Sequence, residues 1–586
     1  MSRHNTCDKK RYQKVHILIS CFSNFRIFIQ NSCIFLSALL LTGCINGAMS
    51  IDLAPGYKPE EFILPDSWRG SGPFAKANPS DGEIRPDWWK LYEDPTLDEL
   101  EAQAMEANPD LHAAAERFMQ ARDMMMKSYS KLIPQIGWGF DASGNRQSDD
   151  ALWRGIGEHS EMGTSMFTGG AGWEPDFFSR IRNRTRIEIY HAEELAAAYA
   201  LVRLGIQAEL ASNYYLLRGL DGQEAIYDQS IDYYKKLLGL VTDRFVGALA
   251  PRIDITRTQY LLYSTEARQL AVRRERQVTE HAIAVLVNQS PSTFSVAPIE
   301  QFPNIDFKLP THLPSTLLER RPDIAASERK MAQANRVIGI ARAAFYPHVN
   351  FSMLGGFEGG FNLFEVASSL WSYGLELALP IFNGGYRRAQ VQQTWSAYRQ
   401  TVDEYRSTVL NAFREVENDL SRTTLITAEM RKLEDSVKAA VETQNLTASL
   451  YTGGLATSLD LLLAQIQTLD SRIDLVEAKS RMARSTVDLV RSLGGGWNRN
   501  GLPTDKEIQP MEVLQYTDLD KAPQAGDVKV PATKNGDYNK AYSDLSHPVP
   551  ISPNNATPKP VLQKEKISDQ GTILRQEQPA IKEVNQ

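Results

Sequence analysis

The 586-residue sequence predicts a mixed α+β membrane protein, in which short strands enter a shared β-barrel and very long helices form coiled coils. Three observations carry that prediction. The body of the chain is a duplication of two units of roughly 200 residues. Two long windows contain no proline and carry apolar residues at steps of three and four. Four segments ahead of those windows alternate apolar and polar residues with period two.

The N-terminus has the order of a targeting segment. Lys9, Lys10, Arg11, Lys14 and Arg26 come first, an apolar stretch from Ile34 to Leu41 follows, and Thr42-Gly43-Cys44 closes it. Leu41-Thr42-Gly43-Cys44 resembles a bacterial lipobox. In that reading residues 1–43 are a lipoprotein signal peptide, and the Cys44 thiol takes a diacylglycerol. A plain buried cysteine beside a cleavage site is the alternative. Ile45, where an inner-membrane lipoprotein often has Asp, favours delivery to the outer membrane. All four cysteines (Cys7, Cys21, Cys33 and Cys44) fall in this region, so the body holds no disulfide or thiolate metal site. Residues 44–95 read as a lipid-anchored tether, rich in Pro, Gly and Ser as far as about 86. Residues 498–586 are polar and dotted with proline, and read as a disordered tail.

The duplication is exact in spacing at many positions. Pro109-Asp110-Leu111 returns as Pro322-Asp323-Ile324, and Pro134 as Pro347, at an offset of 213. Phe245-Val246-Gly247-Ala248-Leu249-Ala250 returns as Tyr451-Thr452-Gly453-Gly454-Leu455-Ala456 at an offset of 206. Asp254 then matches Asp460. The first unit spans about residues 96–300 and the second 315–497.

Each unit reads as a helix, a strand pair and two long helices. The strands are expected at about 135–142, 165–174, 348–357 and 369–380, and the long helices at about 179–246, 254–289, 385–450 and 458–493. Val391, Trp395, Tyr398, Val402, Tyr405, Val409, Ala412 and Val416 form a seam of coiled-coil type, though a rod-forming protein would show the same. Trp371, Tyr373, Leu375, Leu377 and Leu379 alternate with small or polar residues. The segment at Ser165–Trp173 alternates poorly and is rich in glycine. A soluble hairpin alternates too, so no strand decides the matter alone. Trp138, Trp173, Trp371 and Tyr373 suit an interfacial aromatic belt.

No uninterrupted apolar run reaches 18 residues, so a membrane crossing must use strands. Four strands cannot close around a pore, for which about eight are needed. The chain is therefore expected to oligomerise. The net charge of -7 argues against a nucleic-acid partner. The histidines are scattered and no catalytic constellation stands out, so an enzyme is not expected. Gly494-Gly495-Gly496 lacks the Lys-Ser/Thr of a phosphate loop and reads as a helix stop.

Taken in order, the lipobox at Cys44, Trp88-Trp89, Asp94-Pro95, Glu174-Pro175-Asp176-Phe177-Phe178, Leu379-Pro380-Ile381-Phe382-Asn383-Gly384-Gly385 and the closing Leu493-Gly494-Gly495-Gly496-Trp497 resemble the TolC-like outer membrane factors. Within them the match is to the lipidated OprM/NodT-type branch. The resemblance covers about residues 44–497 and implies a homotrimer with a 12-stranded barrel in the outer membrane and a helical tunnel in the periplasm. It implies an exit duct for small toxic compounds, fed through a periplasmic adaptor by an inner-membrane pump of the resistance-nodulation-division type. No cofactor is expected beyond the lipid on Cys44.

The same resemblance places the turns joining the long helices at the free periplasmic end. Gly247, Leu249 and Ala250, with Gly453, Gly454, Leu455 and Ala456, are read as adaptor-docking tips, against ordinary packing within a helical hairpin. Asp254 and Asp460 stand near the starts of the return helices. They are read either as helix-terminal acids that cap and complement the dipole, or as a ring of carboxylates at the gate. The arginine and second aspartate that lock some relatives correspond to Ala456 and Leu463, so Leu459 or Leu455 is expected to provide an apolar constriction. A duct for type I protein secretion and a pore-free scaffold lipoprotein are the rival readings.

Overall fold

The computed structural model describes residues 50–58, 86–146, 148, 161–303, 320–359, 364, 366–497 and 499–508. The signal peptide and Cys44, much of the tether and most of the tail lie outside these residues.

Two proline-led helices open the first repeat: α1 (Pro95–Ala107) and α2 (Pro109–Tyr129). Asp94 caps α1 by accepting from the amides of Thr96 and Leu97, and Asn108 caps α2 from Asp110 and Leu111. Asp94 also accepts a 2.6 Å bond from the Tyr214 hydroxyl, which ties this capped corner to the long helix. The strands β1 (Gln135–Arg146) and β2 (Glu161–Trp173) follow, then the long helices α3 (Arg180–Val246) and α4 (Arg252–Leu286). The second repeat runs α5 (Pro322–Ala343), β3 (His348–Gly359), β4 (Ser369–Ala378), α6 (Tyr386–Thr452) and α7 (Ser458–Ser492).

The duplication is metrical. α3 and α6 each have 67 residues, and α4 and α7 each have 35. At about 1.5 Å per residue, α3 and α6 each run about 100 Å. The four long helices lie side by side in the order α4–α3–α7–α6, while α2 packs on α3 and α5 packs on both α3 and α6. The four strands form one antiparallel sheet in the order β1-β2-β3-β4. Backbone pairing carries β1 on to Arg146, four residues past the end of the apolar alternation, because ladder bonds do not require a side-chain pattern.

The main core sits partway along the long helices. Trp88, Leu97, Tyr214, Tyr215, Val409, Val416, Val487 and Val490 are buried there together. Tyr405, Val409, Ala412 and Val416 from the sequence seam are in this core, while Val391, Trp395, Tyr398 and Val402 are half-buried. The segment after α4 is fixed to this level by ions. Asp221 accepts from Arg276 Nε at 2.6 Å and Arg218 Nη1 at 3.1 Å, and Glu280 accepts from the Val296 amide at 2.7 Å. Arg321 holds the entry to the second repeat, bonding Asp323, Glu415 and the Ser492 carbonyl.

Two boundaries differ from the sequence reading. The tail was expected to be disordered from 498, yet residues 499–508 pack on the body, and Ile508 of the short helix α8 (Asp505–Ile508) is fully buried among Phe118, Met125 and Ala192. The segment is polar enough to resemble a linker, and Ile508, with Leu502 beside it, seats it on the body. The tether is likewise docked at 51–57, where Asp52 bonds Asn183, Arg186 and Arg336.

The glycine stop after α7 requires its glycines. Gly494 and Gly495 have φ of 95° and 55°, and a Cβ on them would lie 2.1 Å from the Arg320 carbonyl oxygen and from Leu204. The two repeats meet as closely at Gly219 of α3, where a Cβ would stand 2.6 Å from Ser480 Cβ on α7. Gly219→Ala is expected to push α3 from α7 and cost about 1–3 kcal/mol. Thermal unfolding followed by circular dichroism should show the loss, and Ser480→Gly in the same chain should restore part of it.

Candidate functional site

A duct of the kind the sequence predicts needs a wall, edges for closure and a mouth. The sheet has the two unlike faces that the membrane part of such a wall requires. Its register places Ile136, Trp138 and Phe140, then Phe167, Gly169, Ala171 and Trp173, on one face. The same face continues through Phe351, Met353 and Phe357 to Trp371, Tyr373, Leu375 and Leu377. The opposite face carries Gln135, Asp141, Thr168, Asn350, Ser352, Ser372 and Glu376. One face is thus apolar and the other mostly polar, with Met166, Leu354 and Leu370 among its large apolar members.

The apolar face is bare. Trp138 and Trp371 are each 75% exposed and Tyr373 79%. Such a surface is stable only against lipid or another apolar body. β2, whose alternation is poor, belongs to it because its glycines make room: the Trp138 ring lies 2.9 Å from where a Gly169 Cβ would be, and stacks on Phe167. Trp173, Tyr373, Trp138 and Trp371 fall within four residues of strand rise, about 13 Å, as one interfacial belt requires. Trp371 and Tyr373 stack nearly parallel, 5.8 Å apart.

Both layers end in open edges. β1 and β4 each have one paired neighbour, and α4 and α6 flank the row of helices. α4 exposes Ile253, Tyr260, Tyr263, Leu270, Val278 and Val285, including three pairs at heptad spacing. α6 exposes Leu410, Leu425, Leu446 and Leu450, and Val437, Val441 and Leu446 line a shallow groove of about 520 Å³ on the same helix.

The two helix turns, which the resemblance places at the free periplasmic end, are both Schellman closures. Leu249 donates its amide to the Arg244 carbonyl, and Leu455 to that of Leu450, each at 2.8 Å. The left-handed residue is Gly454 in the second turn, with φ of 76°. In the first it is Ala248, with φ of 59°. Gly247, the residue before it, has φ of -77° and serves as the helix C-cap. Leu249 and Leu455 are both 81% exposed, so they are not the packing residues of their hairpins. Ala250 is half-buried, and Ala456 packs against a lower core of Tyr234, Leu262, Tyr451 and Leu461, which removes most of its surface from any docking face. Arg244 lies over the Tyr451 ring at 4.6 Å and joins the two turns.

Asp254 and Asp460 occupy equivalent positions with different surroundings. Asp460 completes a capping box: the Thr457 amide and hydroxyl donate to its carboxylate at 3.0 and 2.7 Å, and its own amide donates to the Thr457 hydroxyl. The Thr457 hydroxyl, then the Thr457 amide, hold this carboxyl below the usual carboxylate range. Its protonation is therefore weaker in the folded than in the unfolded chain. The stabilisation is present above the ordinary carboxylate range and is lost as pH falls through the lowered value. In the first repeat Pro251 stands where Thr457 does and cannot cap. The Asp254 carboxylate has no hydrogen bond or ion pair among the described residues. Leu459 and Leu463, 42% and 49% exposed, lie on the first turns of α7 beside Asp460.

The unequal turns are measurable. Gly454→Ala should lower stability by about 1 kcal/mol, and Ala248→Gly should raise it by up to about 1 kcal/mol, because only glycine enters the left-handed region without cost. Urea denaturation of the two variants checks the opposite signs.

Comparison with known proteins agrees with this geometry. The profile of the outer membrane efflux protein family matches residues 100–289 and 313–495, one stretch in each repeat. The chain is 29% identical over 471 residues to the outer membrane protein OprJ of Pseudomonas aeruginosa, covering 79% of this chain and 96% of that one. It is 27% identical over 469 residues to nodulation protein T of Rhizobium leguminosarum bv. trifolii, with the same coverage. The fold is that of the Campylobacter jejuni CmeC outer membrane channel, with a TM-score of 0.71 at 22% identity, over 77% of this chain and 96% of that one. Matched in both halves and built as a lipid-facing sheet on a helical wall, the chain belongs to the outer membrane efflux protein family, whose members are channels and not enzymes.

Proposed function

We propose that three copies of this outer-membrane efflux channel close into one duct, fed by an inner-membrane pump of the resistance-nodulation-division type through a periplasmic adaptor. The observation that carries this reading is the matching pair of open edges. A sheet with an apolar outer face and unpaired β1 and β4 cannot stand alone in hydrocarbon. Three sheets of four strands give 12, a number that leaves a lumen. The same operation sets α4 of one copy beside α6 of the next and covers their apolar residues.

The conduit does no bond chemistry. It offers small toxic compounds a wet path past the lipid, and the driving energy comes from the pump. Leu249 and Leu455, held out at the free end by the Schellman turns, are the apolar contacts offered to the adaptor, with Gly247, Gly453 and Gly454 shaping the turns. Asp254 is the free carboxylate of the gate ring. Asp460 is mainly a helix cap, and Leu459 narrows the mouth beside it.

Cys44 carries the lipid. Ile51, seven residues on, donates its amide to the Phe177 carbonyl at the foot of the sheet. Seven residues reach at most about 25 Å, which keeps an acyl chain within the leaflet that surrounds that foot.

Purified protein should migrate as a heat-sensitive trimer and conduct in planar bilayers. Asp254→Asn should weaken cation preference at unchanged stability, and Asp460→Asn should cost more stability than selectivity. A non-conducting monomer in lipid would falsify the duct. Metabolic labelling with palmitate should mark the wild-type chain and not Cys44→Ser; a labelled variant removes the anchor assignment.

A further inference from the structure

The two ends of the described body converge on one buried carboxylate. Glu328 of α5 has a side chain only 5% exposed. Arg499, past the end of the family match, reaches it with Nη2 at 2.9 Å from Oε1 and 2.8 Å from Oε2. From the opposite end of the chain, the Tyr57 hydroxyl donates to Glu328 Oε1 at 3.4 Å and approaches its carbonyl oxygen at 3.5 Å.

Each end is seated independently beyond this meeting point. On the C-terminal side, Ile508 fills a socket of Phe118, Ala121, Met125, Ala192 and Ala196. Its carbonyl accepts from Nε of the buried Arg122 at 3.1 Å. Thr504 donates its amide and hydroxyl to Glu507 at 2.8 and 3.0 Å and rounds off α8. On the N-terminal side, Asp52 bonds Arg186 at 2.6 Å and Arg336 at 2.9 Å, and Arg342 donates to the Leu53 carbonyl at 3.1 Å. Ala54 lies against Gly339, where a Cβ would come within 2.9 Å of it. The N-terminal segment thus descends along α5 from Arg342 to Glu328, and the C-terminal segment meets it there.

We propose that residues 499–508 are a latch that fastens the N-terminal segment 51–57 to the channel body through Glu328, so that the two ends hold each other in place. A carboxylate this buried needs a compensating cation, and among the described residues Arg499 is the one paired with it. Without Arg499, Glu328 must admit water or a proton, and the surface on which Tyr57 rests opens. The coupling is reciprocal, since each end stabilises the site that the other uses. The latch acts whether or not Cys44 is acylated. It gives the chain beyond Ile508 a fixed point of departure on the α2–α3 flank of the body.

Hydrogen exchange read by mass spectrometry on the full-length assembled protein tests this. Arg499→Ala and Ile508→Asp should each raise exchange within 499–508. Each should also raise exchange within 51–57, by roughly tenfold or more. Asp52→Asn, which frees 51–57 directly, shows that exchange there can be read. The converse variant, Tyr57→Phe, leaves the body's packing intact and should raise exchange within 499–508. Release of one end with the other unchanged overturns the proposal, as does an Arg499→Ala variant in which 499–508 stays protected.

Discussion

An unpaired strand edge in hydrocarbon is the constraint from which the rest of this molecule follows. Each free amide and carbonyl there lacks water as a partner, at several kcal/mol apiece. Among the described residues the chain makes a sheet of four strands whose outer members, β1 and β4, each have one neighbour. Closure must then come from other copies, and the same symmetry acts on everything attached to the sheet. The row α4–α3–α7–α6 has its own open flanks below those of the sheet, and its apolar residues await the same neighbours. In the proposed trimer a single rotation satisfies two quite different interfaces, one of backbone hydrogen bonds in lipid and one of coiled-coil seams in water.

Long helices carry little tertiary information along their length, so the register between them has to be fixed somewhere. Here it is fixed partway down, where short elements and buried ions gather. Gly219 brings α3 onto α7 across the repeat boundary, and Ser480 donates to the Tyr215 carbonyl at 2.9 Å at that crossing. Asp221, Arg218, Arg276 and Glu280 hold the inter-repeat segment against α3 and α4. A buried network of this kind contributes less to net stability than to uniqueness, because any slip of one helix turn would strand its charges. Further along the helices fewer such ties recur, among them Gln269 with Asp228 and Arg268 with Asp470.

The architecture was legible because it is periodic. Proline-free windows gave α3, α4, α6 and α7 to within a few residues, since a heptad pattern and a proline boundary are both written in the local sequence. β2 was hard to read, because its outer face is filled by a neighbour's side chain: Trp138 covers Gly169, and no local pattern reports that. Ala248 was missed as the left-handed residue of the first turn although the duplication itself pointed there, with Gly454 in the matching place. Asp52, Glu328 and Arg499 were not legible at all. Each is one charged residue in a polar stretch, and its role rests on contacts across 131 to 284 positions of sequence.

The duplicated halves have kept their lengths and diverged at their ends. Helices of 67 and 35 residues recur without a single insertion, as they must if both halves are to span the same wall. At the mouth this metrical constraint relaxes. α7 begins with a reciprocal capping box, whereas α4 begins after Pro251 with no side-chain cap. One turn uses glycine in the left-handed region and the other forces alanine into it. Both differences place the weaker construction in the first repeat, where the end of α3 and the start of α4 unravel at lower cost. In the proposed trimer these become a ring of alternating strong and weak hairpins, with the uncapped Asp254 on the weaker set. The proposed mouth is thus built from unequal hairpins, while the wall along its length is built from helices of equal length.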